Sequence, residues 1–545
     1  MNTGAWLTHL LTRYEVDCVF GIPGVHTLEL YRALSRSSLR TLTPRHEQGA
    51  GFMADGYARS TGKPGVCFII SGPGITNIIT AMAQAWADSI PMLVISTVNS
   101  HGRMGSGDGW LHELPDQQSL VSGVCAFSHT LHTPAELPCV LARAFAVFDS
   151  ARPRPVHIEI PINVLGMNIP DDLVPSPDAK GTPATRLNRP VGNQQDIADA
   201  AALITSANRP VILIGGGAKR ACESVRQLAE EQDAPVVMTV NGRGILPANH
   251  PLAVGASASL PSVRKMVNDA DVVIAIGTEF GSTDYDFNED GGFSIPGTLI
   301  RIDIDPQQLM RTIIPELAIV GDAQGTLEVL LPHLEPCETV GTTKKTSGIK
   351  RAANCMKEVQ SSLSPRYARY VALLDIICEA LPPAPIIVGD STQIIYAGNS
   401  AFATALPSCY FNSATGFGTL GYALPAAIGA AIGAGDDSTV VAIVGDGGLQ
   451  FTLGELASAI DAHVNLILIV HENGGYDEIK QFMLGENIEP VGVDLHEPDI
   501  LQLATACGWT ALAVTSLGHL SGMLSSAAVA QTPTLLLIKD HLFDG

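Results

Sequence analysis

Positive charge is scarce in this sequence, and that scarcity excludes one large class of function. The 545 residues include 54 acidic and 32 basic side chains, which gives a net charge of −22 with histidine neutral. A chain of this charge repels the phosphate backbone of nucleic acids, so nucleic-acid binding is not expected. Small molecules are the expected partners instead.

Long apolar runs and paired cysteines are also missing. No stretch reaches the roughly 18 to 20 residues that a membrane span needs, and the longest candidate is Leu424–Gly435. The first residues lack the basic segment and apolar core of a signal peptide, which predicts a cytoplasmic protein with no membrane partner. The ten cysteines include no C-x-x-C pair, and Cys18 and Cys67 lie in apolar surroundings. We expect reduced core cysteines rather than disulfides or a zinc site.

Length and pattern predict the fold class. A chain of 545 residues exceeds one hydrophobic core, and its hydrophobic content of 46% supports a folded protein of about three domains. Strand and helix patterns alternate, which predicts an α/β fold of three domains, each a mainly parallel sheet flanked by helices. Two polar stretches, Asn168–Gln194 and His333–Arg366, are predicted linkers. They separate the predicted domains 1–167, 188–334 and 366–545.

The most informative stretch runs from 440 to 476. An apolar strand ends at Gly-Asp-Gly-Gly (445–448), a helix pattern follows, and a second apolar strand ends at Glu-Asn-Gly-Gly (472–475). Because parallel strands end at the same edge of a sheet, Asp446 and Asn473 can converge. With a main-chain carbonyl near Gly475 they would offer the oxygen ligands that Mg²⁺ prefers, and diphosphate oxygens and a water would complete the shell. The glycines next to Asp446 would let the backbone approach a phosphate at the start of the helix.

A lone Gly-Asp-Gly is weak evidence, since such turns end many strands simply because glycine tolerates positive φ. Followed by Glu-Asn-Gly at this interval, however, it resembles the signature of thiamine-diphosphate-dependent enzymes. In that family the aspartate, the asparagine and a main-chain carbonyl two positions further bind the metal, which implies Asp446, Asn473 and Gly475 here. The implied cofactors are thiamine diphosphate and Mg²⁺. The family usually has Asn-Asn at this point, whereas Glu472 precedes the asparagine in this chain.

The N-terminal part carries a second set of motifs. Phe-Gly-Ile-Pro-Gly (20–24), Arg-His-Glu-Gln-Gly-Ala (45–50) and Ser-Gly-Pro-Gly-Ile-Thr-Asn (71–77) resemble the pyrimidine-binding domain of acetolactate synthases and related 2-oxoacid decarboxylases. In that family the glutamate, here Glu47, hydrogen-bonds a ring nitrogen of the cofactor. The role requires a carboxyl group that holds a proton near neutral pH, which burial favours. From spacing alone, Glu47 is equally well explained as a first-turn acid that complements the helix dipole.

The C-terminal part contains further residues that the resemblance implicates. Gln393 follows a predicted strand and is expected to meet the diphosphate. Residues 415–426 resemble the segment that holds the aminopyrimidine, in which a glycine carbonyl, here Gly418, accepts a hydrogen bond and an apolar residue, here Leu420, bends the cofactor. Ordinary packing is the alternative for Leu420. The predicted cofactor-binding residues are therefore Gln393, Gly418, Leu420, Gly445, Gly447, Gly448, Asn473, Gly475 and Tyr476.

A glycine-rich polar stretch, Asn99–Gln118, is predicted to form a loop over the active site. Acetolactate synthases usually carry Phe-Gln before the acid of this loop and a basic residue at the position aligned with Ser128. Their absence argues against acetolactate synthesis. His112 is a candidate proton donor, and a solvent-exposed loop histidine is the alternative.

The predicted central domain departs from two ligand-binding patterns. Gly-Gly-Gly (215–217) after a strand lacks the third glycine of a dinucleotide fingerprint. The segment after His250-Pro251 lacks the pattern of FAD-containing acetolactate synthases, so structural FAD is not expected. An acidic loop, Thr283–Asp290, fails the calcium-loop pattern because Glu289 replaces its glycine. This loop is either solvated or recognises a cationic substrate tail.

The resemblance covers essentially the whole chain and implies an enzyme. The implied reaction is thiamine-diphosphate- and magnesium-dependent, non-oxidative decarboxylation of a 2-oxo acid to an aldehyde. Segments 112–117 and 277–286 look most like those of 5-guanidino-2-oxopentanoate decarboxylases. The alternatives are acetolactate synthase-type carboligation and, from another class, a non-catalytic cofactor-binding regulatory protein. In the family the glutamate reaches a cofactor in the neighbouring subunit, which implies at least a homodimer, and a homotetramer when dimers pair.

Overall fold

Three parallel sheets of six strands follow one another along the chain in the computed structural model. The structure describes residues 1–174, 184–287, 289–335, 347–435 and 438–544. Parts of both predicted linkers, and Asn288 of the acidic loop, lie outside the described residues. The predicted α/β class with three parallel sheets is confirmed.

The N-terminal sheet is built from short, mostly buried strands. These are β1 (Cys18–Phe20), β2 (Arg40–Leu42), β3 (Gly65–Ile69), β4 (Met92–Val98), β5 (Phe127–Thr130) and β6 (Val156–Pro161). The flanking helices are α1 (Thr3–Arg13), α2 (Leu28–Leu34), α3 (Glu47–Thr61), α4 (Pro73–Ala87), α5 (Gln117–Ser122), α6 (Leu137–Ser150) and α7 (Ile162–Leu165). The strand order is β2-β1-β3-β4-β6-β5. Every residue of β3 and β4 is buried, as expected for parallel strands covered by helices on both faces.

The central sheet is doubly wound. Its strands are β7 (Val211–Ile214), β8 (Val236–Met238), β9 (Ala253–Val254), β10 (Val272–Ile276), β11 (Thr298–Asp303) and β12 (Leu317–Val320). Its helices are α8 (Gln194–Ser206), α9 (Cys222–Gln232), α10 (Pro261–Asn268), α11 (Ser282–Tyr285), α12 (Pro306–Leu309), α13 (Ala323–Leu330) and α14 (Gly348–Ser362). The order β12-β11-β10-β7-β8-β9 reverses between β10 and β7. Helix α14 lies in the second predicted linker and packs its buried residues into this domain. The predicted domain limits stay predictions.

The C-terminal sheet carries the stretch around residue 446. Its strands are β13 (Ile386–Gly389), β14 (Tyr410–Asn412), β15 (Val440–Gly445), β16 (Leu466–Glu472), β17 (Thr510–Ala513) and β18 (Thr534–Lys539). Its helices are α15 (Pro365–Ala380), α16 (Gln393–Ala401), α17 (Ala423–Ala434), α18 (Asp446–Leu449), α19 (Glu455–Asp461), α20 (Asp477–Gly485), α21 (Ile500–Ala506) and α22 (Leu517–Ala528). The order is β14-β13-β15-β16-β18-β17. Because Gly445 pairs with His471, β15 and β16 end side by side.

The N-terminal and C-terminal domains share one hydrophobic core through α3 and α17. Glycines permit the two helices to approach closely. A Cβ on Gly56 would lie 1.9 Å from the carbonyl oxygen of Ala426. A Cβ on Gly429 would lie 1.9 Å from the carbonyl oxygen of Met53. This packing fixes the start of α3, where Glu47 lies, relative to the C-terminal sheet.

Two expectations concern the chain as a whole. None of the helices in the described ranges is long and apolar enough to cross a membrane. The nine cysteines that the structure describes are free, and Cys18 and Cys67 are buried in the core.

Candidate active site

Two loop tips meet at the carboxyl edge of the C-terminal sheet. The first follows β15 and opens α18 at Asp446, and the second follows β16 and contains Asn473. The backbone N–H of Gly474 donates a hydrogen bond of 3.1 Å to Oδ2 of Asp446. Parallel strands that end at one level therefore bring together residues separated by a helix. We call Asp446, Asn473 and Gly475 the metal seat.

The metal seat contains buried oxygens that the protein does not satisfy. Among the described residues, neither Oδ1 of Asp446 nor Oδ1 of Asn473 has a hydrogen-bond partner. Burial raises the pKa of Asp446, although the neighbouring backbone N–H groups lower it in part. Unsatisfied buried polar atoms typically cost about 1 to 3 kcal/mol each. A divalent cation would satisfy both oxygens, so the donor set fits Mg²⁺.

Glycine is required at two points around the metal seat. Gly475 has φ of 133°, and a Cβ there would lie 2.3 Å from the carbonyl oxygen of Val493. A Cβ on Gly447 would lie 3.1 Å from the carbonyl oxygen of Gly475 and 3.0 Å from the ring of Tyr476. The two glycines therefore keep space beside this carbonyl. Across the described ranges, no group of three or more His, Cys, Asp and Glu side chains could hold a metal ion.

Asp390 connects the metal seat to the segment predicted to hold the aminopyrimidine. Its buried carboxylate accepts hydrogen bonds from the backbone N–H groups of Ser391, Gly421 and Ala423 at 3.0, 3.2 and 3.0 Å. Burial raises the pKa of Asp390 to about 6. A Cβ on Gly448 would lie 3.2 Å from Oδ1 of Asp390. Asp390 was not predicted as a site residue from the sequence, although an acid directly after a strand such as β13 is a usable signal.

The other predicted cofactor residues of this domain lie at the same edge. The buried amide of Gln393 donates to Asp477 at 2.6 Å and accepts from the hydroxyl of Tyr370 at 3.1 Å. Gly418 is exposed with φ of 72°, and a Cβ there would meet nothing within 4 Å. Leu420 is half-buried. Their roles toward a cofactor stay predictions, as do those of Gly445, Gly448 and Tyr476.

Glu47 begins α3 and is buried, with 9% of its surface exposed. Its Oε2 accepts a hydrogen bond of 2.9 Å from the amide of Asn77, the last residue of the third N-terminal motif. A Cβ on Gly74 would lie 3.3 Å from Oε1. Within the described residues, no hydrogen bond joins this carboxylate to the metal seat.

The turn before Glu47 is held by an acid of the C-terminal domain. Glu455 is 1% exposed, and its Oε1 accepts from the backbone N–H groups of Arg45 and His46, both at 3.1 Å. A Cβ on Gly49 would lie 2.3 Å from the same oxygen. Because α19, which carries Glu455, follows the Gly-Asp-Gly-Gly turn, the two halves of the site are mechanically connected within one chain.

His112 lies in the predicted loop and contacts the N-terminal half of the site. It is half-buried, has φ of 58°, and packs on Gly72, where a Cβ would lie 2.9 Å from the histidine Cβ. Its ring lies edge-on to that of His26, with centroids 5.3 Å apart. The Nδ1 of His26 hydrogen-bonds the hydroxyl of Ser71. Burial, and to a smaller degree the charge of His112, lower the pKa of His26.

The loop around His112 has its own internal support. The carboxylate of Glu113 accepts from the backbone N–H groups of Gly107, Gly109 and Trp110 at 2.7 to 3.0 Å. The buried amide of Gln117 accepts from the backbone N–H of Gly72 at 3.0 Å. These bonds fix the loop over the turn that follows β3. His26 was not singled out from the sequence, and Gln117 was noted only as the last residue of segment 112–117, without a role of its own.

Three acids of the acidic loop already have protein partners. The guanidinium of Arg264, on α10, pairs with Asp286 at 2.7 Å and with Asp290 at 2.6 Å. Asp284 is half-buried and accepts from the backbone N–H of Val240 at 2.8 Å, and desolvation raises its pKa to about 6. The described acids at 284, 286 and 290 therefore stabilise the central domain itself.

A cavity of about 660 Å³ lies at the carboxyl ends of β7 and β10 in the central sheet. Doubly wound sheets bind ligands at this position, where the strand order reverses. Two cations in its lining, Arg152 and Arg189, pair with Glu279 and Asp322. That structural FAD is not expected here stays a prediction.

Comparison with known proteins gives consistent matches along the chain. Three family models match: the thiamine pyrophosphate enzyme N-terminal TPP binding domain at residues 1–120, the central domain at 197–330, and the C-terminal TPP binding domain at 390–538. Over 509 residues the chain is 44% identical to the probable 2-ketoarginine decarboxylase AruI of Pseudomonas aeruginosa, covering 93% of this chain and 88% of the relative.

Acetolactate synthases are more distant relatives. Identity is 32% over 475 residues to the isozyme 1 large subunit of Escherichia coli, covering 86% of this chain and 82% of that subunit. The identity is 31% over 538 residues to the probable acetolactate synthase large subunit of Methanocaldococcus jannaschii, covering 96% of this chain and 89% of that subunit.

Proposed function

Because this chain belongs to the thiamine pyrophosphate enzyme family, we propose that it is a magnesium-dependent decarboxylase of 5-guanidino-2-oxopentanoate, which is 2-ketoarginine. The products would be carbon dioxide and the corresponding aldehyde. The two unsatisfied oxygens of the metal seat are the observation that carries the cofactor assignment. The 44% identity to a probable 2-ketoarginine decarboxylase supports the substrate.

The metal seat would hold Mg²⁺ through Asp446, Asn473 and the carbonyl of Gly475. The bound ion would in turn hold the diphosphate of the cofactor. Thiamine diphosphate bound there would supply a carbon nucleophile and an electron sink for decarboxylation of the 2-oxo acid. Asp390 would keep the segment around Gly418 in place through its backbone hydrogen bonds.

Glu47 would hold a proton at the pyrimidine nitrogen. Its burial and its hydrogen bond from Asn77 fix the carboxyl group in one position. His112, supported by the ring of His26, would deliver the proton that the product carbon needs. The loop that Glu113 organises would exclude water during this step.

The complete site would form between two copies of the chain. The absence of a hydrogen bond between Glu47 and the metal seat within the described chain supports this arrangement. Helix α20 also exposes large apolar side chains, Ile479 and Phe482, at 50% and 59%. A homodimer would bring Glu47 of one subunit to the metal seat of the other, and paired dimers would form a tetramer. Mass photometry at nanomolar concentration tests this, and a monomer that is fully active would contradict it.

Carbon dioxide release from a panel of 2-oxo acids tests the proposed reaction. With thiamine diphosphate and Mg²⁺, the purified chain should act on 5-guanidino-2-oxopentanoate with the highest kcat/KM of the panel. Acetolactate formation from pyruvate, read by its colour reaction, would favour the carboligase that the acetolactate synthase relatives suggest. Cofactor binding without turnover of any 2-oxo acid would favour a regulatory protein.

A further inference from the structure

The acidic residues around the metal seat differ in what satisfies their oxygens. Asp390 accepts three backbone N–H bonds. Asp477, the first residue of α20, accepts from the amides of Gln393 and Gln481 at 2.6 and 3.0 Å. Asp494 forms an ion pair with Lys480 at 2.7 Å. These acids have protein partners, so they are not free to receive a substrate cation.

Glu478 differs from these neighbours. It follows Asp477 in the first turn of α20, directly after the metal seat, and is half-buried. None of the ion pairs in the described ranges includes Glu478, and the amide of Gln393 is its hydrogen-bond donor. Burial raises the pKa of its carboxyl group, the Gln393 bond lowers it in part, and the charge of Asp477 raises it. A half-buried carboxylate without a counterion is costly, and a bound cation would offset that cost.

Two aromatic side chains share the surroundings of Glu478. Burial raises the pKa of Tyr367 and raises that of Tyr396 to about 12, and the charge of Glu478 raises both further. Tyr396 belongs to α16, which starts at Gln393 after the Asp390 turn. A carboxylate is the group that recognises a planar guanidinium, which it can bond in bidentate fashion.

We propose that Glu478 is the specificity-determining residue that binds the guanidinium group of the substrate. This inference rests on the proposed function and deepens it. The acidic loop of the central domain is the competing location, but Arg264 already neutralises Asp286 and Asp290. A substrate with a neutral tail would leave the Glu478 carboxylate half-buried and unpaired, which disfavours its binding.

The test compares two substrates on the full-length enzyme with thiamine diphosphate and Mg²⁺. The substrates are 5-guanidino-2-oxopentanoate and 2-oxohexanoate, whose tail carries no charge. Both kcat and KM are measured by carbon dioxide release. For Glu478→Gln we expect kcat/KM for the guanidino acid to fall about 30- to 100-fold, mostly through KM. The value for 2-oxohexanoate should not fall, because the variant removes the carboxylate that this substrate leaves unpaired. Glu478→Asp should recover part of the loss.

Two control variants and one charge-reversal variant extend the test. Glu486→Gln changes an exposed acid just after the same helix and should leave both substrates unaffected. Asp286→Asn should likewise leave the substrate preference unchanged. Glu478→Lys places a cation at the site and should abolish use of the guanidino acid while 2-oxohexanoate is still decarboxylated. It serves as the second variant if Glu478→Gln does not fold, which thermal unfolding reports.

The outcomes separate the two levels of inference. If the wild-type enzyme prefers 2-oxohexanoate, the substrate of the proposed function is wrong. If the wild type prefers the guanidino acid and Glu478→Gln keeps that preference, only the role of Glu478 is overturned. Equal loss on both substrates would also overturn it, because a recognition residue for the tail acts on one substrate alone. Loss of preference in Asp286→Asn would assign recognition to the acidic loop.

Discussion

The metal seat and the acidic loop both place carboxylates after strands of a parallel sheet, yet their oxygens are satisfied in opposite ways. In the metal seat, one oxygen of Asp446 and one of Asn473 are buried without a partner among the described residues. In the acidic loop, Arg264 pairs with Asp286 and Asp290, and Asp284 accepts from the backbone N–H of Val240. The loop holds more acidic residues, but of these two regions only the metal seat has buried, unsatisfied oxygens among the described residues.

Replacing the acid of the metal seat should have the largest effect on function. For Asp446→Asn we expect magnesium-dependent binding of thiamine diphosphate to weaken by at least about 100-fold and turnover to fall by about 1000-fold. The stability of the cofactor-free protein should not fall, because the change removes a poorly satisfied buried charge. Calorimetry and thermal unfolding measure the two quantities. In the acidic loop, Asp286→Asn should leave cofactor affinity within about twofold, and equal weakening by both variants would remove the distinction between the regions.

Glu47 extends the comparison to the other half of the site. Glu47→Gln should lower kcat by about 100- to 1000-fold, because the amide cannot hold or transfer the proton. Binding of thiamine diphosphate should stay within about fivefold, since the metal seat is intact. Single-turnover kinetics and calorimetry separate the two, with the exposed Glu15→Gln as control. Unchanged turnover in Glu47→Gln would instead support a non-catalytic cofactor-binding protein.

Removing the cation of the acidic loop should affect stability rather than function. Arg264→Met leaves Asp286 and Asp290 without their partner, and we expect a loss of about 2 to 3 kcal/mol in the free energy of unfolding of the central domain. Cofactor binding and substrate preference should not change. Adding Asp286→Asn and Asp290→Asn to this variant should recover part of the stability, as a mutant cycle measured in urea would show. If substrate preference changed while stability did not, the loop would be a recognition site.

The smallest expected effect is on the pH dependence of stability and concerns Asp390. This acid lies beside the metal seat, and backbone N–H groups donate to both of its carboxylate oxygens. Its pKa is raised from 3.8 to about 6 by burial, so the folded protein keeps a proton that the unfolded chain loses at lower pH. The resulting stabilisation is complete below pH 3.8 and is lost as the pH rises through about 6, and about 2 kcal/mol of it is lost between pH 4.5 and pH 7.

Asp390→Asn should remove this pH dependence. The difference in unfolding free energy between wild type and variant, measured in urea, should then change between pH 4.5 and pH 7. A difference that is equal at both pH values would show that Asp390 is ionised throughout.

Much of the fold followed from strand and helix patterns. The apolar strand predicted to end at Gly-Asp-Gly-Gly (445–448) is β15 (Val440–Gly445). The rule that parallel strands end together anticipated the meeting of two loop tips, since it depends only on element order.

Long-range partners could not be read from the sequence. Asp390 bonds Gly421, 31 positions further along the chain, and Arg264 pairs with Asp290, 26 positions away. No local pattern indicates which acid meets a cation and which meets a backbone N–H. For the same reason Glu478 was not predicted as a site residue from the sequence, whereas the acidic loop was considered as a site for a cationic substrate tail.

Calorimetric titration of thiamine diphosphate into the wild-type chain tests the metal seat most directly. With millimolar Mg²⁺ we expect saturable binding at one site per chain, and with EDTA in place of Mg²⁺ we expect that binding to be lost. Binding of equal strength without a divalent ion, or no binding with it, would contradict a diphosphate held through Asp446, Asn473 and Gly475.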